Sequence, residues 1–223
     1  MGHCFSCPNS YHKVIGTNNG VTAHAQCDIC FFKEIGKCCF GDFNYYVNKD
    51  LTGLKENIYT GVKWQCVEYS RRWLILVLGI NFESVGCAYE IFPLKHCICL
   101  RTNTNKEFIT FENGNSSPPK KCDLLIWKKA KPTPYGHVAV ITGIKNTDDS
   151  NIGYVEICEQ NHEHGCFWKA DDYSRRLTLI KDNLGYTVLD INYNEDLNLS
   201  LDENFITTYS LDILGWKRVG EYI

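Results

Sequence analysis

The stretch Gly61-Val-Lys-Trp-Gln-Cys66-Val-Glu-Tyr-Ser-Arg-Arg72-Trp-Leu-Ile-Leu-Val-Leu78 limits what this chain can become. Between Val62 and Leu78 there is no proline or glycine, and the second half is rich in apolar residues and good helix formers. A mostly buried helix beginning close to Trp64 is expected. That places Cys66 in the first turn, where four backbone N–H groups lack intrahelical partners and the positive end of the helix dipole favours an anion. A cysteine so placed is suited to be a nucleophile. A free cysteine can equally be a small apolar residue packed in a core, so the rest of the chain has to decide.

At 223 residues, 44% hydrophobic and 13% aromatic, the chain can bury a substantial core. One main domain over residues 13–223 is expected, behind an N-terminal extension of residues 1–12. A formal net charge of -3 offers no electrostatic footprint for nucleic acid. The longest apolar run, Trp73 to Leu78, is too short to cross a bilayer, and the first residues hold no signal-peptide hydrophobic region. The expected location is the cytoplasm.

Thirteen cysteines cannot all pair, and a reducing compartment keeps thiols free, so no disulfide framework is expected. Cys4-Phe-Ser-Cys7 and Cys27-Asp-Ile-Cys30, with 19 residues between them, fall within the spacing of a four-cysteine zinc site. Cys4 sits almost at the terminus, and Cys38-Cys39 add thiols that such a site does not explain, so no metal is assigned. Met1-Gly2-His3-Cys4-Phe5-Ser6 fits the acceptor pattern for N-myristoylation, with Cys4 and Cys7 available for a second acyl chain. Association with a membrane surface through acylated Gly2 and Cys4 is therefore an open expectation, set against an unmodified start.

Residues 11–25 read as two short strands around Asn18-Asn-Gly20. Residues 31–60 show no clean period and read as loop and short elements. Cys87 to Phe92 reads as a short helix stopped before Pro93, and Thr102 to Pro119 as a long surface excursion rich in Asn and Pro. Cys122 to Trp127 is an apolar strand. Gly136-His137-Val-Ala-Val-Ile-Thr-Gly-Ile144 and Tyr154-Val-Glu-Ile-Cys-Glu159-Gln-Asn161 form a hairpin around the turn cluster 146–151. If Ile144 pairs with Tyr154, antiparallel partners sum to 298. His137 then faces Asn161, Ala139 faces Glu159, and His137, Glu159 and Asn161 share one face; a one-residue slip would separate them.

A cysteine at a helix N-terminus, a histidine opening a strand and an acceptor on the next strand are what thiol hydrolysis requires. The sulfur attacks a carbonyl, the imidazole takes and later returns a proton, and the third group orients the ring. No cofactor is needed for that chemistry. A lone His137 could instead be a core histidine bonded to backbone. His162 and His164, with Glu163 between them, read as a solvated turn rather than a metal site, because no third ligand has a natural spacing.

The segments Tyr59-Thr-Gly-Val-Lys-Trp-Gln-Cys66-Val-Glu-Tyr-Ser-Arg-Arg72, Tyr89-Glu-Ile-Phe92, Leu124-Leu-Ile-Trp127, Gly136-His137-Val-Ala-Val-Ile-Thr142, Glu159-Gln-Asn161-His-Glu-His164 and Ile213-Leu-Gly-Trp216 carry a resemblance. They resemble the amidase domain of glutathionylspermidine synthetase/amidase and of trypanothione synthetase, members of the CHAP group in the papain-like NlpC/P60 superfamily. The resemblance runs from about residue 13 to the C-terminus. It implies an α+β fold in which the nucleophile-bearing helix packs on an antiparallel sheet.

The resemblance also implies a cysteine-dependent amidase that splits glutathionylspermidine, or a related glutathione–polyamine conjugate, into glutathione and spermidine through a thioester on Cys66. His137 would be the general base and acid, Glu159 its orienting carboxylate and Asn161 a fourth polar member. Oxyanion stabilisation would fall to the Cys66 backbone N–H with help from Gln65. Arg71 matches the position that meets the glutathionyl carboxylate, which suits a planar bidentate donor, and Glu90 is a candidate contact to the polyamine cation. The chain ends seven residues after Trp216, leaving no room for an ATP-dependent synthetase domain, so amidase without synthesis is expected. The cysteine-rich first forty residues and Cys122, where the group often carries Gly or Ala, depart from the pattern. Two other readings stay open: a CHAP-type peptidoglycan amidase or endopeptidase, and a non-enzymatic thiol redox sensor built on Cys66.

Overall fold

The structure is a computed structural model that describes residues 13–25, 44–131, 133–145, 151–162, 168–193, 203–210 and 212–220. The N-terminal extension with its acylation pattern, both C-x-x-C pairs, Cys38-Cys39, Glu163 and His164 lie outside the described residues.

The described residues form thirteen strands: β1 (Val14–Asn18), β2 (Val21–His24), β3 (Asn44–Val47), β4 (Ile58–Val62), β5 (Ile80–Asn81), β6 (His96–Cys99), β7 (Thr104–Glu112), β8 (Leu124–Trp127), β9 (His137–Lys145), β10 (Ile152–Cys158), β11 (Arg175–Lys181), β12 (Tyr186–Asn192) and β13 (Ile213–Val219). Helices among the described residues are fewer: α1 (Lys49–Thr52), α2 (Cys66–Leu78), α3 (Glu203–Ser210) and one 3-10 turn, Ala88–Ile91. Strand outweighs helix, so the layer formed by α2 and its sheet is one side of a mainly β structure.

Nine strands form one sheet in the order β12-β11-β10-β9-β8-β13-β7-β6-β5, and each ladder is antiparallel. The sheet curls back on itself. Beyond β7, the Gly114 N–H donates to Tyr186 O and the Tyr186 N–H to Asn115 O, both at 2.8 Å, while the Asn113 side chain bonds the backbone of Val188. These bonds tie β12, at one end of the strand order, to the end of β7, closing seven strands into a barrel.

Alternation along the central strands then serves two cores. Leu125 and Trp127 of β8 and Ala139 and Ile141 of β9 point into the barrel with Val155, Ile157, Leu177, Val188 and Trp216. Leu124, Ile126, Val138 and Val140 point outward, where Tyr69, Trp73 and Leu74 of α2 and Ile15, Val21 and Ala23 of the β1–β2 hairpin cover them. This is why β8 and β9 read as nearly continuous apolar runs.

Helix α2 begins at Cys66 with Gln65 as N-cap and stops at Gly79, whose φ of 67° lets its N–H reach the Ile75 and Leu74 carbonyls. The expected start near Trp64 moves two residues on, because Trp64 itself is left-handed at φ 59°. That strain is held by packing: Trp64 stacks on His24 with centroids 4.0 Å apart and leans on Tyr45 at 5.4 Å.

Two expectations are corrected. The segment Thr102 to Pro119 is no surface excursion over its whole length: Thr104–Glu112 forms β7, paired with β6 and β13 and burying Phe108. Apart from Asn105, which lies inside β7, the Asn and Pro signals belong to the turns on either side. The β9–β10 hairpin also starts one residue away from the assumed register, with Tyr154 opposite Lys145 and Glu156 opposite Gly143. A β-bulge at Thr142 follows, after which Ile157 faces Ile141 and Cys158 faces Val140. Those last pairs sum to 298, so the bulge restores, at the end that carries His137, the expected register that the turn had lost.

Candidate active site

Cys66 is placed by the N-terminus of α2, which close contact with β4 brings into position. Gly61 has φ 143°, and a Cβ there would stand 3.1 Å from Glu68 Cβ and 3.2 Å from Glu68 Cα, so only glycine allows this approach. His137 opens β9 directly opposite Trp127. The residue before it, Gly136, has φ 66°, and a Cβ there would meet Trp127 O at 2.6 Å. Glu159 lies just past β10 and Asn161 two residues on, itself left-handed at φ 59°, a conformation Asn tolerates.

His137 is 6% exposed and bonds Glu159 through Nε2 to Oε2 at 2.8 Å. Cys66 is a close enough neighbour of the same ring to act on its protonation, and with Nε2 bonded to Glu159 the other nitrogen is the one left for the sulfur. Burial lowers the His137 pKa, but the charge and hydrogen bond of Cys66, followed by the bond and charge of Glu159, outweigh it and hold it up at about 10. For Glu159 burial acts upward, while the Arg175 charge and then the His137 bond pull the carboxyl well below its ordinary range.

Asn161 Nδ2 donates to Gln65 Oε1 at 2.9 Å, joining the strand end to the residue that caps α2. Sequence reasoning passed over Gln160 between them, although its parity turns it to the face opposite Glu159 and Asn161. It is fully buried; Nε2 donates to Glu68 Oε2 at 3.0 Å and Oε1 accepts the His24 N–H at 2.7 Å. Glu68 also receives Arg72 Nε at 2.6 Å and Thr60 Oγ1 at 3.2 Å. A buried polar network thus clamps α2, the β1–β2 hairpin and the segment after β10 together. Ser174, Arg175 and Asp190 were also missed. They lie two and three strands from His137, and no local pattern in Arg175-Arg-Leu-Thr-Leu-Ile-Lys181 points to the site.

Arg71 and Glu90 are each bonded to backbone beside the elements that carry Cys66 and His137. Arg71 is 2% exposed, with Nη1 on Thr60 O at 2.8 Å and Nη2 on Glu83 O at 2.9 Å; burial lowers its pKa to about 10. Glu90 accepts the N–H groups of Gly86 and Cys87 at 2.8 and 3.1 Å, capping the 3-10 turn. Both side chains brace backbone in this arrangement.

The donor atoms of His137, Glu159 and His162 lie within 4.8 Å of one another, which is metal-ligand spacing. The chemistry of the set argues for proton transfer instead: both Glu159 oxygens already accept bonds from Arg175, and a guanidinium beside the carboxylate opposes a second cation. Among the described residues no helix is long and apolar enough to cross a membrane. The thiols of Cys66, Cys87, Cys97, Cys99, Cys122 and Cys158 are free.

Residues 57–161 match the CHAP domain. The bifunctional glutathionylspermidine synthetase/amidase of Escherichia coli (strain K12) is 38% identical over 138 residues, covering 59% of this chain and 20% of that protein. Trypanothione synthetase of Crithidia fasciculata is 33% identical over 137 residues, 61% of this chain and 20% of that protein. The chain thus spans about a fifth of the length of these curated relatives. Cys66, His137, Glu159 and Asn161 all fall inside the interval that matches the CHAP domain, and this part of the chain is similar to part of those enzymes.

Proposed function

We propose that the chain is a cysteine-dependent amidase that hydrolyses glutathionylspermidine, or a related glutathione–polyamine conjugate, to glutathione and spermidine. The observation that carries the reading is the buried His137 ring, bonded on one side to Glu159 and in reach of Cys66 on the other. The similarity to enzymes named for glutathionylspermidine and trypanothione supports the substrate class.

In this reading the Cys66 sulfur attacks the amide carbonyl carbon, and its proton resides on His137. The oxyanion is met by the Cys66 backbone N–H, which has no intrahelical partner, and by the Gln65 amide. With Gln65 Oε1 accepting from Asn161, the Gln65 NH2 group is the part turned to substrate. Collapse of the tetrahedral adduct breaks the C–N bond, and His137 protonates the departing amine. A water, deprotonated by His137, then attacks the thioester, releasing the glutathione carboxylate and returning the proton to sulfur. Glu159 keeps the ring oriented throughout. In this reading Arg71 meets the glutathionyl carboxylate and Glu90 the polyamine cation; Glu90 holds its backbone partners through Oε2 alone, which leaves Oε1 for a cation.

The test is rapid quenching of the protein with glutathionylspermidine and, separately, with peptidoglycan, each beside Cys66→Ala. A mass increase on Cys66 equal to a glutathionyl thioester is expected, absent from the variant. Turnover of peptidoglycan alone would move the substrate to a cross-bridge peptide, and turnover of neither would leave Cys66 a thiol sensor.

A further inference from the structure

The carboxylate beside His137 is itself gripped from the strands beyond it. Arg175, the first residue of β11, presents Nε to Glu159 Oε1 at 2.7 Å and Nη2 to Oε2 at 3.1 Å. Its remaining nitrogen, Nη1, donates to Asp190 Oδ1 on β12 at 3.0 Å. Asp190 Oδ2 accepts Trp127 Nε1 at 2.9 Å, and the Trp127 ring meets His137 edge to face with centroids 5.2 Å apart. His137, Glu159, Arg175, Asp190 and Trp127 therefore form a closed circuit. It lies at one end of the barrel, where the inward positions of β9–β12 turn from Ala139, Ile157, Leu177 and Val188 to polar groups.

The circuit does more than neutralise a buried acid. Ser174 Oγ, at 3.0 Å, fixes only Oε1, about which the carboxylate could still turn. Two guanidinium nitrogens in one plane set the plane of the carboxylate as well, and so the direction in which Oε2 meets the imidazole. Asp190 holds that plane from behind. We propose that Arg175, anchored by Asp190, is a positioning residue for the Cys66–His137 pair. It acts through Glu159 and touches neither sulfur nor substrate. Both Arg175 and Asp190 lie outside the interval that matches the CHAP domain.

The reaction rests on the amidase reading, but the geometry does not, so the test has two arms. Arg175→Lys keeps the charge and loses the plane. Turnover of glutathionylspermidine by the full chain is expected to fall about tenfold to a hundredfold in kcat, with KM within about twofold of wild type. The alkaline limb of the pH profile should move to lower pH, because a loosened carboxylate holds the imidazolium less well. In the second arm, iodoacetamide alkylation of Cys66 is followed across pH by mass spectrometry of its peptide, with no substrate present. Its midpoint should move to higher pH in Arg175→Lys and remain in place in Arg176→Lys, whose guanidinium pairs with Glu156 instead.

A folded Arg175→Lys protein with unchanged kcat, limbs and alkylation midpoint would overturn the proposal. Should that variant fail to fold, Asp190→Asn, which leaves the Glu159 pair in place, must shift the alkylation midpoint in the same direction; an unmoved midpoint refutes it. If wild type leaves the conjugate intact while the alkylation shift is present, the amidase reading falls and the positioning role stands.

Discussion

At the scale of single residues, the site depends on one imidazole whose protonation is set by its neighbours. Cys66 supplies the leading upward contributions to the His137 pKa against burial. In Cys66→Ala those contributions vanish, and the ring should titrate at lower pH, read from its ring C–H signals by NMR. Identical titrations in the two proteins would show that sulfur and ring do not interact. Glu159→Gln places a carboxamide where two oxygens now accept, so its NH2 group must face an Arg175 donor in either orientation, and His137 as well in one of them. Residual turnover with a reduced kcat is expected. Asn161→Ala, which strips the Gln65 amide of its orienting bond, should cost about a hundredfold through loss of oxyanion support. Near-normal Glu159→Gln beside inactive Asn161→Ala would exchange their roles. Cysteine, histidine and acceptor were legible as candidates because each residue type has a distinct chemistry. Arg175 was not, since an arginine opening a strand carries no sign of what it will meet three-dimensionally.

Among the elements, the first turn of α2 and the start of β9 matter most, and each is admitted by a glycine. Gly136→Ala would force a Cβ against Trp127 O at a left-handed position. A loss of about 1–3 kcal/mol in denaturant stability is expected, with a lower kcat because the strand carrying His137 must shift. Unaltered stability and turnover would show that the loop relaxes freely. Cys122 is the contrary case: its φ of 76° is a backbone conformation that favours glycine, occupied here by a cysteine. The helix was readable in advance from its composition, since helical contacts are local. The β9–β10 register was readable only in part: hydrophobic alternation identifies the strands, but a bulge at Thr142 depends on pairing between chain segments and leaves little local trace.

For the whole molecule, the barrel turns a buried ionic circuit into a determinant of stability. Glu159 has a folded pKa below its unfolded value of about 4.5, so the unfolded chain binds more protons in that range. Its stabilisation is present above the unfolded pKa and is lost as pH falls through the folded one. Asp123, raised by burial in spite of Arg218, acts with the opposite sign and offsets part of this. Urea midpoints measured from about pH 6 down to pH 3 should fall in wild type and fall less steeply in Glu159→Gln; equal slopes would place the acid sensitivity elsewhere. The sequence by itself determined the buried helix, the cysteine at its head, the two strands that carry His137 and Glu159 and the family resemblance, because these are written in local periodicity and in side-chain chemistry. Tertiary structure alone decided the barrel closure, the corrected register and the Arg175–Asp190 support, because each is made by residues far apart in sequence whose meeting depends on how the sheet curls.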